Sequence, residues 1–195
     1  MRLRYLLLFL SLSLHSFSQK VSFDIFLFGN KIGQSNIERN IKNDSITTYT
    51  LQSNSEAHIF FTTRTLSLHY DIVYKYGILF SSYSKHTRNE ELHINTITRQ
   101  NNNYLMVRDN QSYCIKPDID CSAVKLFFGE PCNVQHIFSE RLGEWRPIKK
   151  TGEGTYEADM SEGITYYYHY KNGKLIELEM KKGLLGSVYL RPHVQ

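Results

Sequence analysis

The sequence predicts an all-β domain: an antiparallel meander forming an open barrel or two packed sheets, with one short helix near residues 120–129. Short runs in which apolar and polar residues alternate follow one another along the chain, separated by Gly, Asn and Asp. Alternation with period two is typical of strands with one buried face, and turn residues about every eight to twelve positions are typical of sandwiches and barrels. No long helical pattern interrupts the runs, so parallel βαβ units, which need crossover helices, are not expected.

Each predicted strand is an alternating run that ends at a turn. The most regular run begins at Leu66 and ends at Tyr76-Gly77. A return strand is expected from Ile78 onward, and the same succession of run, turn and return recurs on both sides of it. The strands are predicted at residues 21–27, 34–42, 47–51, 58–63, 66–74, 78–84, 92–98, 104–107, 111–115, 134–138, 144–148, 155–157, 164–170, 174–180 and 184–190.

The segment from Asp120 to Pro131 departs from the alternation and predicts the short helix. Asp120 or Ser122 would cap its start, and Gly129 and Pro131 would end it. Another strand is the alternative interpretation of the same residues. No linker, low-complexity tract or clear repeat is visible along the chain, so a single domain is predicted for residues 19–195.

The hairpin from Ile164 to Met180 is the best-defined local structure, because Asn172-Gly173 suits a type I′ turn. One face of this hairpin would carry three tyrosines, and across from them two glutamates and a leucine. A register slip of one residue would exchange the two faces. The predicted pairs are Lys171 with Lys174, His169 with Ile176, Tyr167 with Leu178 and Thr165 with Met180, which leaves Tyr166, Tyr168, Tyr170, Leu175, Glu177 and Glu179 on the other face.

Tyrosine is the main oddity of the composition, with 14 Tyr in 195 residues. In a barrel most such rings fill the core, and their hydroxyl groups reach water. The alternative is that the hairpin stripe lines a concave, mostly apolar site with a few polar anchors. The ligand would then be a lipid-like or other amphipathic small molecule. On that alternative the ligand-binding residues are Tyr166, Tyr168, Tyr170 and Glu177.

Residues 1–18 are predicted to be a secretory signal that is cleaved after Ser18. Arg2 and Arg4 form its positive region, and an apolar core of about ten residues follows, half the length of a membrane span. Its removal would leave 177 residues with 21 basic and 19 acidic side chains, a net charge of +2. So small a charge gives no basic face for nucleic acid. The sequence therefore predicts an exported protein, periplasmic or extracellular, with no transmembrane segment in the mature chain.

The cysteines, histidines and acidic residues form no recognisable catalytic or metal-binding motif. In an oxidising compartment Cys114 and Cys121 would close the smallest disulfide ring, whereas Cys121 with Cys132 would brace the predicted helix. No C-x-x-C or H-E-x-x-H pattern is present, so no metal or other cofactor is expected. Turn chemistry and a helix cap explain Asp118 and Asp120. The sequence favours a non-catalytic protein, while a hydrolase that joins a His to Asp118 or Asp120 stays open.

Several segments stand out after the signal peptide: residues 23–33 (FDIFLFGNKIG), Ser53-Asn54-Ser55, residues 126–131 (LFFGEP), Ser139-Glu140 and residues 168–175 (YHYKNGKL). In their order along the chain they resemble an uncharacterised family of secreted proteins common in Bacteroidota. The resemblance extends over nearly the whole mature chain and rests on structural motifs. It implies an all-β domain of unknown function in the cell envelope, and it supplies no catalytic residues.

The sequence thus leaves two non-catalytic hypotheses. In the first, the concave face of the sheet holds an apolar or amphipathic ligand. In the second, the protein is a structural or adaptor protein that meets an envelope protein through a surface patch or an exposed strand edge. The first hypothesis expects room inside the sheet, and the second expects a filled core.

Overall fold

The fold is a continuous antiparallel meander of 14 strands, seen in a computed structural model that describes residues 17–43, 45–59, 61–116, 118–183 and 186–194. Two short 3₁₀ helices accompany the strands, at Ala123–Phe127 and Ser161–Gly163. The strands are β1 (Phe17–Leu27), β2 (Asn30–Asn43), β3 (Ile46–Ile59), β4 (Thr62–Lys75), β5 (Ile78–Arg88), β6 (Glu91–Gln100), β7 (Asn103–Arg108), β8 (Gln111–Ile115), β9 (His136–Ser139), β10 (Glu144–Gly152), β11 (Thr155–Met160), β12 (Ile164–Lys171), β13 (Lys174–Lys182) and β14 (Ser187–Pro192).

All the strands belong to one sheet, in the order β8-β7-β6-β5-β4-β3-β2-β1-β14-β13-β12-β11-β10-β9. Strands that are consecutive in the chain are paired in the sheet, except β8 and β9. The first and last strands, β1 and β14, also pair, with Ile25 opposite Leu190. This pairing joins the two halves of the meander, and β8 and β9 are left at the two edges. The all-β antiparallel prediction is confirmed, with one large sheet rather than two packed ones.

The sheet curls on itself because the turn between β9 and β10 packs against the inner face of β6 and β7. The Asn95 amide nitrogen donates to the Arg141 carbonyl at 2.6 Å, and the Arg108 guanidinium donates to the Leu142 carbonyl at 3.1 Å. A Cβ atom on Gly143 would lie 2.0 Å from the Met106 sulfur, so glycine permits this close approach. Side-chain contacts thereby bring one edge region of the sheet against the opposite half.

Strand β3 differs from the sequence prediction, which placed separate strands at residues 47–51 and 58–63. The structure has one strand of 14 residues, Ile46–Ile59, and Phe61 lies in a turn inside the second predicted strand. The polar segment Ser53-Asn54-Ser55 continues the strand, because Ser53 pairs with Leu68 and lies buried in the interior. Small serines on an inward face weaken the alternation that marks a strand in the sequence.

The register predicted for the β12–β13 hairpin holds for Lys171 opposite Lys174 and Tyr170 opposite Leu175, and it is wrong from His169 onward. Asn172 and Gly173 have φ values of 52° and 71°, as a type I′ turn requires, and Lys171 lies opposite Lys174. A bulge then inserts Ile176, so that His169 lies opposite Glu177 instead. The extra residue shifts every later pair by one position. The observed pairs are Tyr170 with Leu175, Tyr168 with Leu178, Tyr167 with Glu179, Tyr166 with Met180 and Thr165 with Lys181.

The connection from β8 to β9 runs through the interior of the curled sheet and carries the predicted helix. The helix is a single 3₁₀ segment, Ala123–Phe127, which we call the interior helix; it starts after Ser122 and ends at Phe128 rather than at Gly129. Phe127 packs edge-on against Phe23 of β1, with ring centroids 5.6 Å apart. Within the described residues, no helix has the length and apolar character needed to cross a membrane.

The predicted secretory signal lies mostly outside the described residues, which begin at Phe17. Phe17 and Ser18 belong to β1 and pair with Ile41 and Asn40 of β2. Cleavage after Ser18 stays a prediction, and it would shorten β1 by these two residues.

Candidate functional site

The interior of the barrel has two ends, which differ in how they are filled. Because the strands alternate in direction, the turns at residues 76–77, 153–154 and 172–173 lie at one end, and those at 89–90, 109–110 and 140–143 lie at the other. The interior helix lies at the first end, which we call the plugged end. The second, where the turn at residues 140–143 contacts Asn95 and Arg108, we call the open end.

At the plugged end the tyrosine hydroxyl groups have hydrogen-bond partners. Tyr74 donates to the Ser122 hydroxyl at 2.6 Å, and Tyr170 donates to the Leu126 carbonyl at 2.7 Å. The Tyr49 ring packs against those of Tyr74 and Phe128, with centroids 5.8 and 5.7 Å apart. Burial raises the pKa of the Tyr74 and Tyr170 phenols well above the usual value, so both stay neutral donors. This end is a satisfied, packed core.

Glu140 holds the start of the interior helix and is buried at 2% exposure. Ser122 is the N-cap residue by backbone conformation, but its side chain makes no cap hydrogen bond. The Glu140 carboxylate instead accepts from the Val124 amide at 3.4 Å, and also from the Ala123 amide and the Ser122 hydroxyl. Burial nevertheless raises the pKa of Glu140. The helix start, which sequence analysis assigned to Asp120 or Ser122, is thus capped from a distant turn.

Lys125 covers the plugged end from outside. Its ammonium group lies 3.8 Å from the centre of the Tyr74 ring and donates to the carbonyls of Gly77 and Asp120. Burial lowers the pKa of this lysine. The helix is therefore fastened to the β4–β5 turn as well as to the core.

At the open end, small residues occupy inward positions on several strands. Ser84 of β5 is buried at 1% exposure and lies opposite Tyr70 of β4. The partly exposed apolar side chains that pack on the core include Leu68 of β4 and Tyr166 of β12. Buried small residues beside partly exposed apolar side chains are a combination found in binding sites. The other buried small residues on this face are Ser35, Ser53, Ala57 and Ala158, and the other partly exposed apolar ones are Ile164, Met180 and Val188.

Three buried polar atoms at the open end have no hydrogen-bond partner among the described residues: Ser84 Oγ, His86 Nδ1 and Asn95 Oδ1. They are neighbours, because Ser84 and Asn95 lie opposite each other on β5 and β6. The Asn95 amide nitrogen is fixed by the Arg141 carbonyl, so its oxygen remains free. Buried polar atoms normally find partners, and a group of orphans indicates a place where a ligand or water supplies them. The other buried atoms of this kind are Arg39 Nε, Trp145 Nε1 and Arg146 Nε, elsewhere in the sheet.

Arg141 lies next to this group through its backbone, because its carbonyl accepts from the Asn95 amide nitrogen. It follows Glu140 in the β9–β10 turn, is half-buried, and makes no ion pair among the described residues. Its charge acts to lower the pKa values of Tyr70, Tyr166 and His86. For both phenols burial is the larger effect, and their pKa values are raised overall. The phenols of Tyr70 and Tyr166 therefore stay neutral.

The rim of the open end carries a pair of histidines. The His86 and His93 rings lie 4.8 Å apart across β5 and β6. His93 also contacts the carboxylates of Glu91 and Asp109, at 3.3 and 3.5 Å. Burial lowers the pKa of His86, and the neighbouring His93 acts in the same direction. Among the described residues, no three His, Cys, Asp or Glu side chains come close enough to hold a metal ion.

The predicted tyrosine stripe lies on the inner face, but its glutamate does not. Tyr168 and Tyr170 are buried at the core, and Tyr166 is half-buried towards the open end. Glu177 lies on the other face and binds Arg191 at 2.7 Å, because the bulge at Ile176 turns it outward. The face shared by the tyrosines and Glu177 was therefore wrongly predicted. The tyrosines face Leu175, Leu178 and Met180.

Two surface clefts, of about 330 and 390 Å³, lie away from the tyrosine stripe. The smaller lies between β1, β2 and β3, beside Asn36 and Thr50. The larger is beside Leu66 and Thr87, on the rim of the open end. Neither cleft is lined by Tyr166, Tyr168 or Tyr170.

The cysteines and acidic residues singled out in the sequence do not meet in one site. Cys114 and Cys132 are exposed and Cys121 is half-buried, and all three are free thiols, so a Cys114–Cys121 disulfide stays a prediction for the oxidised protein. Asp118 is held by Arg99 at 2.9 Å rather than by a histidine. The exposed Asp120 contributes its backbone carbonyl to Lys125.

The comparisons with known proteins agree with this architecture. No curated protein matches the chain. Among solved structures, the crystal structure of a β-barrel-like protein of domain of unknown function DUF1849 from Brucella abortus is similar, with a TM-score of 0.59 and 9% identity. The match covers 89% of this chain and 95% of that one, and at this identity it establishes a shared fold alone. A family model matches residues 23–193, and the chain therefore belongs to the family described as Domain of unknown function (DUF6134).

Proposed function

We propose that this protein is a non-catalytic binding protein that holds an amphipathic small molecule at the open end of its barrel. It acts after export, in the periplasm or outside the cell. The observation that carries the proposal is the group of buried, partnerless polar atoms of Ser84, His86 and Asn95. They lie on the same inner face as partly exposed apolar side chains such as Leu68. A ligand with a polar head and an apolar body would satisfy both kinds of group.

Catalysis has less support than binding. The hydrolase hypothesis needs a histidine within hydrogen-bond reach of Asp118 or Asp120, and the Asp118 carboxylate is bound by Arg99. Ser84 and His86 are a nucleophile type and a base type two residues apart, but no hydrogen bond joins their side chains in the described structure. A polar group that is free to bind and has no activating partner is suited to recognition.

Native mass spectrometry of the protein purified from its own cell envelope tests the proposal. We expect a retained mass of small-molecule size in the wild type. The variant Leu68→Trp places a large ring at the open end, whereas the matched variant Ser67→Trp places it on the exposed outer face of the same strand. The bound mass should disappear in the first variant and persist in the second. A wild type without any bound mass, or equal retention in both variants, would contradict binding at the open end.

The exposed edge of the sheet supports a second candidate, an adaptor for an envelope protein. Among the residues that the structure describes, strand β8 pairs only with β7, and its first four residues are exposed. An unpaired edge can accept a strand from another chain. Replacing Ser112 by Pro would block such pairing while leaving the open end intact. The Ser112→Pro variant should then no longer be crosslinked to a partner protein in the envelope, while a retained small-molecule mass would be unaffected.

A further inference from the structure

We infer that the open end of the barrel docks onto an anionic lipid surface through Phe28 and Phe61, two exposed rings in the turns of neighbouring hairpins. Because the strands alternate in direction, the β1–β2 and β3–β4 turns both lie at the open end. Phe61 is fully exposed and Phe28 is 69% exposed. The inference concerns an interaction surface and does not depend on the small molecule proposed above, so either proposal can fail alone.

Phe28 occupies a turn position for which a polar residue is better suited. Its φ of 50° lies in the left-handed region, which asparagine adopts readily and a bulky aromatic residue rarely does. Other turns at the same end place Asn89-Glu90 and Asp109-Asn110 in this conformation. The strained backbone brings little burial in return, because most of the ring is exposed. An exposed ring held at such a cost is suited to contact with something outside the fold.

The β3–β4 hairpin, which carries Phe61, projects beyond the hairpins on both sides of it. Gly33 of β2 lies opposite Ile25 of β1 and Ser55 of β3, and β5 ends in the same row. From this row β1 continues for two residues and β3 for four, to Ile59, a difference of roughly 7 Å. The hairpin closes itself, since Ile59 pairs with Thr62 and the Thr62 hydroxyl donates to the Ile59 carbonyl at 3.1 Å. Its tip can therefore enter the headgroup region of a bilayer without losing hydrogen bonds of the sheet.

The cations beside the two rings have no acidic partner within the described residues. Arg64 lies in the β3–β4 hairpin, Lys181 and Lys182 end β13, and all three are exposed. A Cβ atom on Gly186 would lie 3.0 Å from the Phe28 ring, which places this ring beside the turn that follows the two lysines. Exposed rings next to unpaired cations match the interface of a membrane that contains anionic lipids.

Two acidic side chains in the same region have contacts of their own. Asp24 binds Lys31 at 2.7 Å, and Glu56 lies 3.9 Å from His58. The acids in the turns after β5 and β7 lie further around the barrel. The unpaired charges beside the two phenylalanines are therefore basic.

A lipid surface fits this arrangement better than a protein groove does. The rings belong to separate hairpins, and the exposed threonines Thr62, Thr63 and Thr65 follow Phe61, so the tips form no continuous apolar patch. A stable protein interface needs such a continuous, well-packed area. A bilayer interface accepts separate rings at different heights and hydrates the polar residues between them.

Co-sedimentation with lipid vesicles tests the inference, using the protein purified from its own cell envelope. The vesicles consist of phosphatidylcholine alone or of an equal mixture with phosphatidylglycerol. The wild type should bind the mixed vesicles about tenfold or more tightly than the neutral ones. Phe28→Asn and Phe61→Ser should each weaken binding to the mixed vesicles about tenfold. Tyr76→Asn is the matched control, because Tyr76 is equally placed in a left-handed turn, with φ of 51°, but at the plugged end, and it should change nothing.

The charge is tested on the β12–β13 hairpin, which carries two lysines at each end. Replacing Lys181 and Lys182 by Gln should remove the preference for mixed vesicles. Replacing Lys171 and Lys174 by Gln, which removes the same charge at the plugged end, should leave that preference unchanged.

The outcomes that would overturn the inference are distinct. A wild type that sediments with neither vesicle has no lipid-docking surface, and equal binding to both kinds contradicts an anionic one. Equal losses in Phe28→Asn and Tyr76→Asn would show that the open end is not the side that docks. A protein crosslinked at position 61, without vesicle binding, would assign the tips to a protein partner. Thermal melting confirms that each variant is folded, and native mass spectrometry reports separately on the small molecule.

Discussion

The two ends of the barrel use the same kinds of residue to opposite effect. At the plugged end, Tyr74 and Tyr170 donate to partners 2.6 and 2.7 Å away in the chain's own interior connection. At the open end, Tyr70 and Tyr166 lie on the same inner face without such partners, and Ser84 and Asn95 have free buried atoms. The connection between β8 and β9 makes the difference. It places the interior helix at the plugged end, whereas the turn between β9 and β10 lies at the open end.

The contrast separates the part of the fold that its own contacts stabilise from the part to which we assign the proposed binding. Satisfied buried hydrogen bonds and packed rings stabilise the plugged end. Unsatisfied polar atoms cost free energy at the open end, and a ligand that supplies partners would recover that cost. Substitutions at the two ends should therefore change the free energy of unfolding very differently.

The largest effect should come from the packed core beside the interior helix. Tyr168 is 2% exposed, and its replacement by Ala should lower the free energy of unfolding by about 3–5 kcal/mol, since it leaves a large cavity. Tyr76 is 82% exposed, and Tyr76→Ala should change the free energy of unfolding by less than about 0.5 kcal/mol. Urea denaturation measures both. A small loss for Tyr168→Ala would mean that the stripe is not part of the stabilising core.

An intermediate effect is expected at Glu140, which links the two ends. Glu140→Ala leaves the Val124 and Ala123 amides without their acceptor and should cost about 1–3 kcal/mol, whereas Glu144→Ala, at an exposed position, should cost little. Equal losses in the two variants would show that the carboxylate does not hold the helix.

The same carboxylate predicts a pH dependence. Burial raises the pKa of Glu140 above its ordinary 4.5, so the folded protein holds this proton more tightly than the unfolded chain does. Its contribution to stability is therefore complete below about pH 4.5 and is lost as the pH rises through the raised value in the folded state. Glu140→Gln should remove this component from the dependence of urea denaturation on pH. An unchanged pH profile in that variant would contradict the raised pKa.

The smallest changes in stability are expected when one serine at each end of the barrel is replaced by alanine. Ser122→Ala removes the hydroxyl that accepts from Tyr74 and donates to Glu140, and it should cost about 1–2 kcal/mol. Ser84→Ala removes a buried hydroxyl that has no partner, so the ligand-free protein should be unchanged or stabilised by up to about 1 kcal/mol. Thermal and urea denaturation of the two variants side by side would sharpen the contrast. Equal destabilisation by the two substitutions would contradict the difference between the two ends.

The fold class could be predicted because it depends on local patterns. Alternation and turn residues locate most strands, and Asn172-Gly173 gives the correct tip of its hairpin. The bulge at Ile176 could not be read in the same way, because it depends on how the next strand packs and has no signature in the turn. Its consequence is large: Glu177 faces Arg191 on the outer face instead of joining the tyrosines.

The candidate site was predicted only in part. The sequence identified the tyrosine stripe but not Ser84, Asn95 or Arg141, which are ordinary polar residues in their own strands and turn. Each is recognised as part of the candidate site only from the hydrogen-bond partners that it has or lacks in the folded structure. The Arg141 carbonyl, which accepts from Asn95, is an example. A serine at an inward position of an alternating strand is the one signal in the sequence that could have directed attention to Ser84.

The sequence by itself determined an antiparallel all-β meander, a short interruption after residue 120, and the ends of several hairpins, because period-two alternation and turn residues act over a few positions. Tertiary structure alone decided that β1 joins β14, that a helix fills one end of the barrel, and that Glu140 caps that helix from a separate turn. Those features follow from contacts between residues far apart in the chain. Curvature of the sheet and burial bring such residues together, and no local pattern encodes either.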